Sequence, residues 1–112
     1  MATIEQCEAA FAELAAMLAG ADEAHRKKVD LHRTISARIS DLEAVFEGVL
    51  KDGQLHGIQL VETAKTEITF SMTSEDLLKL TAGELHFARA WATGKIRVDA
   101  GIRDILKLRS LF

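Results

Sequence analysis

One cysteine and four histidines are the first places to look for chemistry in this 112-residue chain. A nucleophilic thiolate needs a base or a cation close by to lower its pKa. Cys7 has neither within a helical turn and lies on an apolar stripe, so a buried, inert thiol is expected. His25, His32, His56 and His86 are scattered over different elements. No two of them have a metal-ligand spacing such as i, i+4, and none is near Cys7. Asp52 and His56 suggest an acid–base pair across a turn. No Ser, Cys or Lys nucleophile accompanies them, and Asp52 is better explained as a turn residue. The glycines of GELHFARAWATG lack the tight spacing and following Lys-Ser/Thr of a phosphate loop. The run HRKK at 25–28, near Arg33, reads as a solvated connector; its functional alternative is docking to an anionic membrane surface or an acyl-CoA head group. No catalytic constellation emerges, so neither an enzyme nor a metal or other cofactor is expected.

The elements that would position these residues follow from hydrophobic rhythm. Ile4, Cys7, Phe11, Leu14 and Leu18 recur at steps of three and four, the stripe of an amphipathic helix. Thr3 and Gln6 are spaced as a capping box, and Gly20 is placed to end the helix. Residues 21–30 form a polar connector. The rhythm then changes to period two. Leu31, Ile35, Ala37 and Ile39 alternate with His32, Thr34, Ser36 and Arg38, which predicts a strand with one wet face. AVFEGVLKDGQLHGIQLVE predicts two strands joined at Lys51-Asp52-Gly53. TEITFSMT alternates again, with Ile68, Phe70 and Met72 on one face. Thr73 then caps a helix carrying Leu77, Leu78 and Leu80 inward. Gly83, Gly94 and Gly101 divide the remainder into a short helix with Phe87, Ala90 and Trp91, a strand KIRVD, and a last helix with Ile102, Ile105, Leu106, Leu108, Leu111 and Phe112. Each glycine is expected at an element end where positive φ is useful.

Composition bounds the answer. The chain is 48% hydrophobic and 28% charged, with a net charge of −3, a globular balance without the basic excess nucleic acid requires. The single cysteine and the absence of a secretory pattern or long apolar run suggest a cytoplasmic protein. No repeat or linker appears, so residues 1–112 are read as one domain. Strands grouped between helices suggest an α+β fold: a five-stranded, mostly antiparallel sheet with helices packed on one face.

Residues 66–111, TEITFSMTSEDLLKLTAGELHFARAWATGKIRVDAGIRDILKLRSL, resemble the sterol carrier protein type-2 domain, a lipid-binding family. Glu67 stands where the family usually has Asp. Met72, Leu77, Leu80, Gly83, Ala90, the pair Gly94-Lys95 and the pair Lys107-Leu108 match its pattern at its spacings. Residues 29–65 match only in strand order. Phe87 stands where Pro is common, and Gly101 falls one position late, after Ala100. Arg109 stands where a neutral polar residue is often found.

The resemblance implies an apolar tunnel between the sheet and the C-terminal helices, used for non-enzymatic binding or transfer of a sterol, fatty acid or fatty acyl-CoA. The implied wall is Ile68, Phe70, Met72, Leu77, Leu80, Phe87, Trp91, Ile105, Leu108, Leu111 and Phe112. Arg109, if it faces the cavity, would favour a carboxylate-bearing ligand. Burying about ten ligand methylenes at roughly 0.8 kcal/mol each gives near-micromolar affinity before binding costs. Transient membrane contact and a monomer or homodimer are compatible with this reading. The alternative is an interaction, regulatory or dimerisation module with the same fold, in which those residues simply fill the core.

Overall fold

The computed structural model describes residues 2–19, 32–51 and 54–110. The element order is α1 (Ile4–Ala19), β1 (Arg33–Ile39), β2 (Ala44–Lys51), β3 (Gln54–Val61), β4 (Ile68–Met72), α2 (Ser74–Thr81), α3 (Phe87–Ala92), β5 (Arg97–Asp99) and α4 (Ile102–Ser110). The expected polar connector, its HRKK run, His25 and the Asp52-Gly53 turn lie outside the described residues, as do Leu111 and Phe112.

The helix starts are set by local chemistry. The Gln6 amide donates to Thr3 Oγ1 at 3.2 Å, and the Thr3 amide donates to Gln6 Oε1 at 2.9 Å, the reciprocal capping box expected from the sequence. Thr73 caps α2 by accepting the Asp76 amide. Past the ends of α2 and α3, Gly83 and Gly94 adopt φ of +78° and +82°, where a side chain would be strained. Gly101 does not share this conformation. Its carbonyl accepts the first bond of α4, from the Ile105 amide, and this N-cap role requires no left-handed backbone.

The five strands form one sheet in the order β3-β2-β1-β4-β5. All neighbouring pairs run antiparallel except β1 with β4, which is parallel. The parallel pair requires the chain to return from β3 to the start of β4. Residues 62–67 make that return. Thr66 Oγ1 lies 2.7 Å from Ser36 Oγ, and Glu67 Oε1 accepts the Thr34 amide, so the crossover lies against the polar face of β1.

Alternation sends Ile35, Ala37 and Ile39 to the opposite face, beside Ala44 and Phe46 of β2 and Ile68, Phe70 and Met72 of β4. The helices cover this face. Cys7, Ala10 and Phe11 of α1, Leu77 of α2 and Ala90 of α3 share a buried cluster with Ala37, Ile39, Phe46 and Met72. The Phe11 and Phe46 rings sit 4.8 Å apart between centroids. Ile35, Ile68 and Leu108 form a second cluster, where α4 meets the sheet. Five strands of mostly antiparallel sense with helices on one face are thus the architecture the rhythm predicted.

Candidate functional site

β4 contributes alternate residues to the covered face. Ile68 and Met72 are buried and Phe70 is half-buried between them. Leu77 is buried on α2, with Leu78 and Leu80 half-buried and packed against the same cluster. Phe87 and Trp91 are one turn apart on α3, with ring centroids separated by 6.0 Å. Phe70 meets Phe87 edge-on at 5.9 Å. The three rings form a continuous aromatic run from the sheet to α3, within the spacing at which edge-to-face pairs attract. Trp91 also packs against Ile35, Ile68 and Leu108, so this run joins the two clusters.

Eight of the expected wall residues are therefore brought together: Ile68, Phe70, Met72, Leu77, Leu80, Phe87, Trp91 and Leu108. Ile105 is half-buried and belongs to neither cluster. Arg109 is exposed near the end of α4, next to buried Leu108. Leu111 and Phe112 lie outside the described residues.

Two open cavities flank α1. One, of about 290 Å³, lies between α1 and β3 and is lined by Phe11, Ala12, Ala15, Phe46, Leu55 and Ile58, with Glu8 and Gln59 among its polar edges. The other, of about 470 Å³, lies between Ile4 and the ends of β2 and β3. The expected wall residues line neither of them. Phe46 connects the first to the core, since it belongs to the same cluster as Met72 and Leu77.

Sequence rhythm missed two polar anchors. Arg33 Nε donates to both carboxylate oxygens of Asp104, at 3.2 and 3.1 Å, and Glu67 lies 3.5 Å away. Asp104 is the one buried charged residue among the described residues, at 8% exposure, so the pair fixes the first turn of α4 onto the start of β1. The hydrogen bond and charge of Asp104 push the Arg33 guanidinium further up, against a smaller desolvation effect. The available signal was spacing: Asp104 is four residues before Leu108, on the inward stripe. Ser74 is the second anchor. Its hydroxyl donates to Asp41 Oδ2 at 2.5 Å and accepts the Ala2 amide at 3.0 Å, while its own amide donates to Asp41 Oδ1. The two Ser74 hydrogen bonds hold the Asp41 carboxyl below the usual carboxylate range.

Cys7 has no exposed surface, and burial, followed by the charge of Asp41, pushes its thiol up, away from nucleophilic reactivity. His32, His56 and His86 are exposed on separate elements. Among the described residues, no three His, Cys, Asp or Glu side chains are grouped to hold a metal ion. Nor is any helix among them long and apolar enough to cross a membrane.

Comparison with known proteins agrees with this architecture. Residues 10–112 match the model of the SCP-2 sterol transfer family. No curated protein matches the chain. Among solved structures, palmitated SCP2L2 from Aedes aegypti superposes with a TM-score of 0.65 at 17% identity, covering 98% of this chain and 94% of that one. The sterol carrier protein domain 2 of Helicoverpa armigera gives 0.55 at 22% identity, with 88% and 78% covered. The sec-alkylsulfatase Pisa1 from Pseudomonas sp. gives 0.55 at 20% identity, but the match spans 80% of this chain and only 13% of the sulfatase. At these identities the solved structures show a shared fold.

Proposed function

Because the chain belongs to the SCP-2 sterol transfer family, we propose that it binds a lipid non-enzymatically and transfers it, using the apolar space between the sheet and helices α2–α4. The observation that carries this reading is the aromatic run Phe70–Phe87–Trp91, which joins the two apolar clusters over one sheet face. A chain-like ligand needs such a continuous apolar wall, with few polar groups to desolvate. The palmitated relative supports a long acyl chain as one ligand class; a fatty acid, a fatty acyl-CoA and a sterol all share the required apolar body. In this reading Arg109, exposed on the outward side of α4 near its end, would meet a carboxylate head group only outside the apolar space, not along the chain.

A second reading is favoured by the full burial of Ile68 and Leu77. In it, those side chains fill the core and the domain acts as an interaction or dimerisation module. Native mass spectrometry separates the two. The protein is incubated with palmitate, palmitoyl-CoA and cholesterol and then weighed. The lipid reading expects a stoichiometric mass increase, and Arg109→Gln should weaken palmitate uptake more than cholesterol uptake. An unchanged apo mass with every lipid, together with no lipid in an organic extract, sinks that reading in favour of the filled core.

A further inference from the structure

α4 is seated on the sheet by Asp104 and Leu108, four residues apart and both buried. At 3.6 residues per turn, the opposite side of the helix carries Ile102, Leu106, Arg103 and Arg109, all exposed. Ile102 is 77% and Leu106 is 60% exposed, the two highest values among the exposed large apolar side chains of the described residues. They are four apart and form one apolar ridge flanked by guanidinium groups.

We propose that this outward face of α4 docks the protein on an anionic lipid bilayer. The charge on the face selects the occupant. The one acid of α4, Asp104, is turned inward and paired with Arg33, so it does not offset the outward arginines. The arginines therefore stand out on a chain whose net charge is −3. A helix with an apolar ridge and basic flanks lies in the plane of a membrane interface, burying the ridge while the basic groups meet anionic headgroups. A second copy of the chain fits less well, because a two-fold contact across this ridge would bring like charges together. The other exposed large apolar residues lack this setting. Met17 lies on α1, whose charged residues are all acidic, and Leu60 is followed closely by Glu62.

The docking face deepens the lipid reading and rests on it only for its purpose: Leu108, on the reverse of α4, packs against Ile68 and Trp91, so the bound surface would be one helix away from the proposed wall. Vesicle flotation tests it, using phosphatidylcholine alone and phosphatidylcholine mixed with phosphatidylglycerol. The intact chain should float with the mixed vesicles, and raised salt should weaken the association. Arg103→Gln should weaken it about fivefold, the effect of one basic residue near an anionic surface. The double variant Ile102→Ser, Leu106→Ser should weaken it at least about tenfold through lost apolar burial. Equal binding to both vesicle types, or no loss in either variant, overturns the proposal. So does a dimer in sedimentation that is lost in the double variant without any vesicle binding. Palmitate delivered from solution and read by native mass spectrometry keeps the two readings apart. A chain that floats but takes up no palmitate retains the docking face and loses the carrier function; uptake without flotation does the reverse.

Discussion

Leu108→Ala is the substitution that bears most directly on how α4 is held. Leu108 is 5% exposed and packs with Ile35 and Ile68, close to Trp91. Truncation removes the equivalent of about three methylenes, or roughly 2.4 kcal/mol of transfer free energy. The surrounding strands collapse only partly into the gap, which brings Leu→Ala costs in cores to about 2–5 kcal/mol. A value near 3 kcal/mol is expected here, because the half-buried Trp91 and Phe70 can shift a little toward the void. For a domain of this size that lowers Tm by roughly 10 °C. The assay is urea and thermal unfolding followed by the emission of Trp91, the single tryptophan, which sits at the altered site and reports both loosening and unfolding. A loss below about 1 kcal/mol, the range of exposed positions, would refute the seating of α4 on the sheet. It would also undermine the outward direction assigned to Ile102 and Leu106.

Two further perturbations test the supporting frame. Gly48→Ala places a methyl 2.6 Å from Ile58 Cδ1 and 3.0 Å from the His56 carbonyl oxygen; the side chain can yield but the backbone cannot, so a loss of about 1–3 kcal/mol in urea unfolding is expected, and an unchanged midpoint would contradict the close approach of β2 and β3. For Asp41, whose folded-state pKa is depressed by its Ser74 hydrogen bonds, the stabilising contribution is present above the ordinary carboxylate range near pH 4 and is lost as pH falls through the lower folded value. Asp41→Asn should therefore be less stable than the parent at pH 7, with the gap closing toward pH 3; an equal gap at both pH values would show that the carboxylate charge is not what Ser74 stabilises.

Much of the frame around the candidate site is legible in the sequence. The caps at Thr3 and Thr73, the strand alternation around Ile68 and Phe70, and the stops at Gly83 and Gly94 depend on neighbours within a few residues. So does the inward placement of Leu77 and Leu80. The grouping of eight of the expected wall residues followed because alternation and helical spacing already assign each of those a face.

Other features required the tertiary fold, since they join residues far apart in the chain. Only pairing in space makes β1 and β4 parallel neighbours and lays Thr66 across Ser36. α4 illustrates the limit best. Its sequence is apolar at Ile102, Ile105, Leu106 and Leu108, and rhythm alone does not say which of them face the sheet. The Arg33–Asp104 ion pair decides the rotation instead. A buried carboxylate needs a partner, and Arg33 at the start of β1 supplies it only when Asp104 and Leu108 point inward. That single constraint places Ile102 and Leu106 in solvent. Local sequence determined which residues are apolar and where helices and strands begin and end; the satisfaction of one long-range buried charge determined which of those apolar residues remain available to a partner.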